Sequence, residues 1–319
     1  MFSDLRPADV LAAADRIRPL IKRTELLRSA PLSEIAGGDV YLKLENTQTT
    51  GSFKLRGALN VVGTLSPEQR RAGVVASSAG NHGLGVAYAA KHFGVPATIF
   101  IPTNAPQVKR DGIAALGATL DTSQPHYDAA MDAAKAFAKE HGATFINPCL
   151  GQMLLAGQGT VALEILGELP NLGSLVVNVG GAGLLGGCAS LVRAVAPSVK
   201  ILGAQSVNTA AMAKSLAAGR IVEIENVATL ADGLAGQIDE EAFDIGTHGL
   251  DAIATLTEDE IADTIAWLSA THGQRVEGAG ACATAAVRLQ KFATLPTPAA
   301  IVVSGGNIDA AKLEKILKH

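Results

Sequence analysis

Short apolar runs alternate with helix-forming stretches along most of the chain, and this pattern predicts an α/β protein. Segments 73–76, 97–101 and 174–179 are β-rich, apolar and too short for typical helices. Helices are predicted after the first of them at residues 83–93 and, further along, at residues 127–140. Buried strands that alternate with helices indicate parallel sheets with helices on both faces.

The same alternation extends over the rest of the chain and divides it into two lobes. Further strands are predicted at 40–44, 119–121, 143–146, 200–204, 252–256 and 299–303. Further helices are predicted at 3–22, 106–116, 157–169, 210–218, 258–272 and 280–292, and after a glycine loop at 180–187 as far as residue 195. The pattern breaks near Asn147-Pro148 without a disordered linker. We therefore expect two closely packed lobes with a cleft between them, where ligands bind at the strand ends.

Composition excludes several classes of protein. The 319 residues, 48% apolar and 18% charged, suffice for about two domains with a large core. The net charge of −4 and the lack of a basic run argue against a nucleic-acid partner. The three cysteines are far apart, which is typical of a reducing cytosol. The N-terminal residues lack a signal-peptide pattern and no apolar run reaches membrane-spanning length, so we expect a cytoplasmic protein and no membrane partner.

Lys54 is the first candidate for chemistry. It follows a turn at Gly51 and the aromatic Phe53, and it opens an apolar helical run. An amine in an apolar pocket titrates downward and becomes a nucleophile that forms Schiff bases with carbonyls, including pyridoxal phosphate (PLP). Taken alone, a solvated lysine at a helix start is the more common situation. The assignment therefore depends on finding a phosphate site and a carboxylate site elsewhere in the chain.

The glycine loop at 180–187 predicts a phosphate site, because it follows a strand and opens a helix. It also contains G-x-G-x-x-G at Gly181, Gly183 and Gly186, which suggests a dinucleotide site as an alternative. That alternative expects an acidic residue about 20 positions later, at the end of the next strand. The next strand instead ends in Gly203-Ala204-Gln205-Ser206. A monophosphate therefore fits better than NAD, and an ordinary strand–helix turn stays open.

Three further segments carry polar groups at the expected cleft. Residues 77–82 offer hydroxyl, amide and N–H donors at a helix start, which suits a small carboxylate or a phenolic oxygen; a capping turn with Ser77 or Ser78 as N-cap is the alternative. The Ser304 hydroxyl, at the end of the last strand, can bind a pyridine nitrogen without ionising it, or it belongs to a β-turn. Glu277 is either a cleft group or a solvated loop carboxylate, and the solvated loop is the favoured interpretation.

Taken together, six ordered segments resemble the serine/threonine dehydratase and serine racemase family, the fold type II group of PLP-dependent enzymes. The segments are Ser52-Phe53-Lys54-Leu55-Arg56-Gly57-Ala58, Ser78-Ala79-Gly80-Asn81-His82, Ala156-Gly157-Gln158-Gly159-Thr160, Gly180-Gly181-Ala182-Gly183-Leu184, Ala231-Asp232-Gly233 and Ser304-Gly305-Gly306-Asn307. The resemblance implies a two-lobed fold like that of the tryptophan synthase β subunit, each lobe a mainly parallel open sheet. It also implies a large PLP-binding domain at 1–51 and 147–319, a small domain at 52–146, and a homodimer.

The resemblance also implies a role for each matching residue. Lys54 would form the Schiff base with PLP, and Phe53 would pack on the cofactor ring. Asn81 would contact the ring oxygen, and Ser304 would face the pyridine nitrogen. The phosphate would be held by Gly180, Gly181, Ala182, Gly183 and Leu184. The substrate carboxylate would be held by Ser78, Asn81 and His82.

The chain departs from the family pattern at four places. Ala182 stands where many members have glycine, which we expect to be tolerated if its φ is negative. Segment 147–153 lacks the acidic pair common there, which leaves the substrate side chain open. Glu277 precedes Gly278 where many threonine-acting relatives have proline. The chain ends soon after the last motif, so we do not expect feedback inhibition through a C-terminal regulatory domain.

These features predict a dehydratase (ammonia-lyase) that converts a β-hydroxy amino acid, by default L-threonine or L-serine, to a 2-oxo acid and ammonia. A bulkier or acidic substrate such as phenylserine or hydroxyaspartate, an amino-acid racemase, and a non-catalytic nucleotide-binding protein are the alternatives. Ala79 stands where racemases of the family have serine, so we expect little racemisation. Gln205, Thr209 and Ala211 stand where metal-activated members bind Mg²⁺ or Ca²⁺, so we expect no divalent metal.

Overall fold

The strands form two separate sheets, in a computed structural model that describes residues 4–105, 107–225 and 227–318. The strands are β1 (Leu26–Arg28), β2 (Val40–Lys43), β3 (Val74–Ser77), β4 (Ala97–Phe100), β5 (Thr119–Asp121), β6 (Thr144–Phe145), β7 (Ser174–Asn178), β8 (Lys200–Ser206), β9 (Ala252–Leu256) and β10 (Ala299–Val302). The first sheet has the order β1-β2-β10-β7-β8-β9, and the second has the order β5-β4-β3-β6. All pairings are parallel except that of β1 with β2.

Helices lie between most of the strands. They are α1 (Pro7–Ile17), α2 (Ala30–Ala36), α3 (Lys54–Gly63), α4 (Pro67–Ala72), α5 (Asn81–Phe93), α6 (Gln107–Ala114), α7 (Tyr127–His141), α8 (Gln152–Glu168), α9 (Gly183–Val195), α10 (Ala211–Ala218), α11 (Glu240–Gly249), α12 (Glu258–His272), α13 (Gly278–Arg288) and α14 (Ala310–Leu317). Short 3-10 helices lie at Arg18–Leu20, Glu45–Thr47, Val207–Thr209 and Asp232–Leu234. None of the helices in these ranges has the length and apolar composition needed to cross a membrane.

Both faces of the six-stranded sheet are covered by helices. Leu175 and Val177 of β7 pack in one cluster with residues of α8 and α9. Val176, between them, packs on the opposite face in a cluster with residues of α12 and α13. Successive side chains of a strand point to opposite faces, so the consecutive apolar residues at 175–177 are buried on both. The predicted parallel sheet with helices on both faces is therefore confirmed for this lobe.

The four-stranded sheet is built in the same way. Val74 and Ala76 of β3 pack with α3 and α5. Val75 packs with Phe100 and with small residues of α7 on the other face. Its strands all lie between residues 74 and 145, whereas those of the six-stranded sheet lie outside that range. The α/β prediction is confirmed for this lobe as well.

Glycines made two helix starts hard to place from sequence. Helix α8 begins at Gln152 rather than at residue 157, and α9 begins at Gly183 inside the predicted loop 180–187. A Cβ on Gly159 of α8 would lie 2.7 Å from the Gly187 carbonyl oxygen, and a Cβ on Gly187 would lie 2.6 Å from the Gly159 nitrogen. These glycines are helical residues that allow α8 and α9 to pack closely, and not loop residues.

The pattern analysis also missed several short elements. Strand β1 and helices α2, α4, α11 and α14 were not predicted. Strand β1 has only three residues and lies at the sheet edge, so it has no clear apolar pattern. Helix α14 has Leu313 and Ile316 at helical spacing, and both pack on a core cluster, so its pattern was overlooked. Helix α1 ends at Ile17 and α13 at Arg288, both earlier than predicted. Ser3 and Pro106, the predicted first residues of two helices, lie outside the described residues.

Candidate active site

Backbone pairing brings the Lys54 segment to the end of β10. Ser52 and Gly305 form an isolated antiparallel bridge. The Phe53 N–H donates to the Ser304 carbonyl at 3.1 Å, and the Gly306 N–H donates to the Gly51 carbonyl at 2.9 Å. Lys54 then begins α3 directly after this pairing. Two motifs that are about 250 residues apart in sequence are therefore neighbours at one strand end.

The Lys54 amine contacts a loop and does not extend into solvent. Its Nζ donates to the Pro148 carbonyl at 2.5 Å and lies 3.9 Å from the Cys149 Sγ. It also lies 5.3 Å from the centre of the Phe53 ring. Asn147 shapes this loop, because its side-chain oxygen accepts the Cys149 N–H at 2.8 Å. The interpretation of Lys54 as a solvated helix-start lysine does not agree with these contacts.

The loop after β7 is a candidate anion site next to the lysine loop. The first N–H groups of helix α9 have no intrahelical partner and no side-chain cap, so they favour an anion. A Cβ on Gly181 would lie 2.6 Å from the Cys149 Sγ, and a Cβ on Gly183 would lie 2.8 Å from the Cys149 carbonyl oxygen. The loop that contacts Lys54 therefore packs directly on the glycine loop. The Leu184 side chain is buried in the core, so only its backbone faces an anion.

Gly180 is restricted by a close neighbour, whereas Ala182 is distinguished by its backbone conformation. A Cβ on Gly180 would lie 2.9 Å from the Leu234 Cα. Ala182 has a φ of 66°, in the left-handed region. The condition under which we expected alanine to be tolerated here, a negative φ, is therefore not met. A left-handed conformation costs an L-residue about 1–2 kcal/mol. The turn into α9 requires this geometry, and the chain adopts it without glycine.

Residues 77–82 include the second helix start without a side-chain cap. The N-cap of α5 is Gly80, and it has no side-chain cap. The Ser78 hydroxyl accepts the Gly80 N–H at 3.1 Å, and the Ser77 hydroxyl is buried without a hydrogen-bond partner among the described residues. Neither serine is the N-cap, so the capping alternative was wrong. The first N–H groups of α5 stay available for an anion such as a carboxylate.

The His82 side chain points into the protein. Its Nε2 lies 2.9 Å from the Ile146 carbonyl oxygen. Burial, and then the charge of Lys54, lower the pKa of His82 to about 3, so the ring is neutral. Because a carbonyl only accepts hydrogen bonds, the hydrogen is on Nε2 and Nδ1 has a lone pair. A substrate carboxylate can therefore be bound by the His82 backbone N–H but not by its ring.

Ser304 lies in neutral surroundings at the end of β10. It is buried, with its hydroxyl 3.1 Å from the Asn178 amide nitrogen and 3.4 Å from the Ala279 carbonyl oxygen. The Asn178 nitrogen also donates to the Val302 carbonyl at 2.9 Å, which fixes the amide. A ring nitrogen placed at this hydroxyl would meet a neutral hydrogen-bonding group rather than a carboxylate.

Glu277 is a buried residue of the site, and its interpretation as a solvated loop carboxylate was wrong. It is 9% exposed, at the N-cap of α13, and its Oε1 accepts the Asn81 amide N–H at 2.6 Å. Burial raises its pKa to about 7, although the hydrogen bond from Asn81 acts in the opposite direction. The sequence did contain a signal, because Val276 precedes it and an almost wholly apolar helix follows.

A buried ion network fixes the helix that carries Lys54. Arg56 donates to Glu45 at 2.7 Å and to Glu164 of α8 at 2.8 Å. Lys43 of β2 lies 2.6 Å from Glu164. Burial alone would lower the pKa of Arg56, but the two carboxylates outweigh it and raise the pKa. The two positive charges of this network are thus balanced by its two negative charges, and the ion pairs connect α3 to β2 and α8.

The donor groups fit PLP. The site combines the Lys54 amine, the uncapped start of α9, and a neutral hydroxyl at Ser304. Glycines line the anion site at Gly181 and Gly183, where any side chain would collide with the Cys149 loop. An aldehyde, a phosphate and a pyridine nitrogen are the three groups that such donors recognise.

The positions compared with the family's metal site hold neutral residues. Gln205 of β8 is buried, and its side-chain oxygen accepts the Ala213 N–H at 3.0 Å. The Thr209 hydroxyl is buried without a partner in the described part of the chain, and Ala211 begins α10. Within residues 4–105, 107–225 and 227–318, no three or more His, Cys, Asp and Glu side chains form a group that could hold a metal ion.

Comparison with known proteins agrees with this geometry. A family model described as "Pyridoxal-phosphate dependent enzyme" matches residues 17–305. L-threonine ammonia-lyase of Thermotoga maritima is 42% identical over 310 residues, which cover 97% of this chain and 77% of that protein. The structure of maize serine racemase superposes with a TM-score of 0.93 at 31% identity, covering 98% of this chain and 97% of that one. The processed form of threonine deaminase isoform 2 from Solanum lycopersicum superposes with a TM-score of 0.90 at 32% identity, covering 98% of this chain and 91% of that one. The chain therefore belongs to the family of pyridoxal-phosphate dependent enzymes, with the fold type II architecture.

Proposed function

We propose that the protein is a PLP-dependent dehydratase (ammonia-lyase) that converts a β-hydroxy amino acid, by default L-threonine or L-serine, to a 2-oxo acid and ammonia. The observation that carries the proposal is the contact of the Lys54 amine with the Pro148–Cys149 loop, which packs on the anion site before α9. The relatives named as threonine ammonia-lyase and threonine deaminase support the reaction and the default substrate.

The proposed cofactor site uses the groups described above. Lys54 binds the cofactor aldehyde, and Phe53 packs on the ring. The backbone of Gly180, Gly181, Ala182, Gly183 and Leu184 holds the phosphate. The Ser304 hydroxyl donates to the pyridine nitrogen without ionising it, and Asn81 donates to the ring oxygen. PLP, when bound, supplies an aldehyde and an electron-withdrawing ring.

The proposed substrate site lies at the start of α5. The N–H groups of Asn81 and His82, with the Ser78 hydroxyl, bind the substrate carboxylate, since an uncapped helix N-terminus favours an anion. With the cofactor bound, the Lys54 amine would act as the general base for the proton on the substrate α-carbon. The half-buried Cys149 thiol lies 3.9 Å from Lys54 Nζ, and we infer that segment 147–153, to which it belongs, contacts the substrate side chain. A larger or acidic side chain, as in phenylserine or hydroxyaspartate, is the alternative substrate.

A racemase is the second candidate function, because the maize structure with a TM-score of 0.93 is a serine racemase. Ala79 argues against it, since a methyl group cannot transfer a proton from the face opposite Lys54.

We also propose a large domain at 1–51 and 147–319, a small domain at 52–146, a homodimer, and a cytoplasmic location. The two sheets fall on either side of this division, and light scattering tests the dimer.

The proposed function is tested with a panel of amino acids. Purified holoenzyme is incubated with L-threonine, L-serine, D-serine, phenylserine and hydroxyaspartate, and 2-oxo acid formation is followed with a coupled dehydrogenase. We expect the highest kcat/KM for L-threonine or L-serine, with no product from the Lys54→Ala variant. Bound PLP without 2-oxo acid from any substrate would refute the dehydratase. A colourless protein that binds a nucleotide would refute the cofactor as well.

A further inference from the structure

Glu277 is a buried titratable group that the proposed mechanism does not use. Its carboxylate lies at the edge of the cofactor site, against the end of β10. The Glu277 N–H donates to the Gly305 carbonyl at 3.1 Å, which fixes its backbone. A Cβ on Gly305 would lie 3.1 Å from the Asn81 amide nitrogen and would collide with Glu277 Oε1. The glycine thus leaves the space in which the Glu277 carboxylate and the Asn81 amide meet.

The orientation of the Asn81 amide is set from both sides. The Asn307 amide nitrogen donates to the Thr50 carbonyl at 2.8 Å and to the Asn81 side-chain oxygen at 2.6 Å. Both hydrogens of Asn307 are then used, and the Asn81 oxygen is held by a donor. The Asn81 nitrogen donates one hydrogen to Glu277 Oε1 at 2.6 Å. One N–H of Asn81 remains for a further acceptor.

This arrangement requires Glu277 to be an acceptor. A carboxylate only accepts, so it pairs with the N–H side of the Asn81 amide. A protonated Glu277 keeps a carbonyl acceptor but has no charge, so its hydrogen bond from the Asn81 amide is weaker. Its new O–H donor also competes with Asn307 for the Asn81 oxygen. Protonation therefore weakens the hold on the amide, and the remaining N–H of Asn81 is directed less firmly.

Glu277 changes charge near neutral pH in its folded environment. Burial raises its pKa to about 7, and the charge of Asp232 raises it further. The hydrogen bond from Asn81, the charge of Lys109 and the Asn307 backbone N–H lower it. Lys109 of α6 and Asp232 lie 3.6 Å apart and largely offset each other. The carboxylate is thus the main form above about pH 7, and the acid is the main form below it.

We propose that ionised Glu277 is a positioning residue that holds the Asn81 amide with one N–H directed at the ring oxygen of PLP. The proposal rests on the proposed cofactor role of Asn81. A hydrogen bond to the ring oxygen favours its ionised form, which absorbs in the visible range, over the neutral hydroxyl form, which absorbs in the near ultraviolet. Glu277 therefore links the pH of the solution to the absorbance and the affinity of the bound cofactor.

The test is a pH titration of the holoenzyme absorbance between about pH 5.5 and pH 8.5. In the wild type we expect the visible band to fall, and the near-ultraviolet band to rise, as the pH drops through the Glu277 pKa. Glu277→Gln keeps a carbonyl acceptor for Asn81 but cannot titrate, so its spectrum should not change over this range. Glu277→Ala has no acceptor, so its visible band should be weak at every pH. Its PLP affinity should fall by roughly tenfold, the equivalent of one hydrogen bond.

Two controls separate this role from a structural one. Glu258→Gln removes a carboxylate that accepts hydrogen bonds from Ser206 and Thr229. The absorbance of this variant should change with pH as that of the wild type does. Asn307→Ala should weaken the visible band as Glu277→Ala does. Coincident titrations of the wild type and Glu277→Gln, with PLP shown to be on Lys54 by borohydride reduction, would overturn the proposal and leave the proposed function intact. A wild-type protein that binds no PLP at Lys54 would overturn both.

Discussion

The Nζ atom of Lys54 lies 2.5 Å from the carbonyl oxygen of Pro148, which belongs to the loop between β6 and α8. The next residue of that loop, Cys149, packs against the positions of Gly181 and Gly183, where a Cβ would approach within 2.6 Å and 2.8 Å. One loop thus contacts both the amine and the candidate anion site. This relationship makes the assignment of each residue open to direct tests.

Removal of the Lys54 amine should abolish both cofactor attachment and turnover. Lys54→Ala leaves the anion site and Ser304 in place, so PLP can bind without a covalent bond. We expect loss of the visible absorbance of lysine-bound PLP and no detectable 2-oxo acid. Lys91→Ala, an exposed lysine of α5, is the matched control and should behave as the wild type. Borohydride reduction and peptide mapping identify the modified lysine, and a label on any other lysine contradicts the assignment.

Replacement of Ser304 by aspartate should lower the elimination rate. A carboxylate at this position would keep the pyridine nitrogen protonated. A positively charged ring stabilises negative charge on the substrate more strongly, so the β-hydroxyl leaves more slowly. We expect kcat to fall at least about tenfold, or about 1.4 kcal/mol. Ser304→Ala keeps the position neutral, so its kcat should fall less than that of Ser304→Asp. Equal elimination by Ser304→Asp and the wild type would show that Ser304 does not face the ring nitrogen.

The left-handed φ of Ala182 leads to a prediction about stability. Ala182→Gly relieves about 1 kcal/mol of strain and loses the burial of one methyl group, about 0.8 kcal/mol. The free energy of unfolding should therefore change by less than about 0.5 kcal/mol. Ala189→Gly, in the middle of α9, loses the same methyl group and also about 1 kcal/mol of helix propensity, so it should destabilise by about 2 kcal/mol. Urea unfolding of both variants measures the difference, and equal destabilisation would argue against strain at Ala182.

Racemisation should be slow in the wild type and should increase in Ala79→Ser. The hydroxyl of the variant can transfer a proton on the face opposite Lys54, and the methyl group of Ala79 cannot. Chiral chromatography of reactions with L-serine measures D-serine alongside 2-oxo acid. Ala79→Gly controls for the change of side-chain size without adding a hydroxyl. Wild-type enzyme that racemises L-serine as fast as it eliminates would show that another residue supplies the second proton.

Turnover should not depend on a divalent metal. Mg²⁺ and Ca²⁺ bind mainly through carboxylates, and Gln205 and Ala211 stand at the compared positions. The Gln205 oxygen already accepts the Ala213 N–H at 3.0 Å. Activity is measured after exhaustive EDTA treatment, with and without added Mg²⁺ or Ca²⁺. A several-fold loss that either ion restores, in enzyme that retains PLP, would contradict the prediction.

The sequence by itself determined the fold class, and it predicted the principal candidate groups of the site. Alternating buried strands and helices predict parallel sheets because the pattern is local and repeated. Lys54, the glycine loop that begins at Gly180, and Ser304 were recognisable because each is a short motif beside a strand or helix end. Helices near 152–157 and 180–187 were less well placed, since their glycines resembled loop residues.

Only the tertiary structure decided how these groups act together. Gly181 and Gly183 adjoin the Cys149 loop, whereas Gly187 allows α8 and α9 to pack closely. The residue type alone does not distinguish these two structural roles. The burial of Glu277 depends on Asn81, which is 196 residues away in sequence. The left-handed φ of Ala182 follows from the turn between β7 and α9. In each case the physical reason is a contact or backbone geometry set by distant parts of the chain, which no local pattern records.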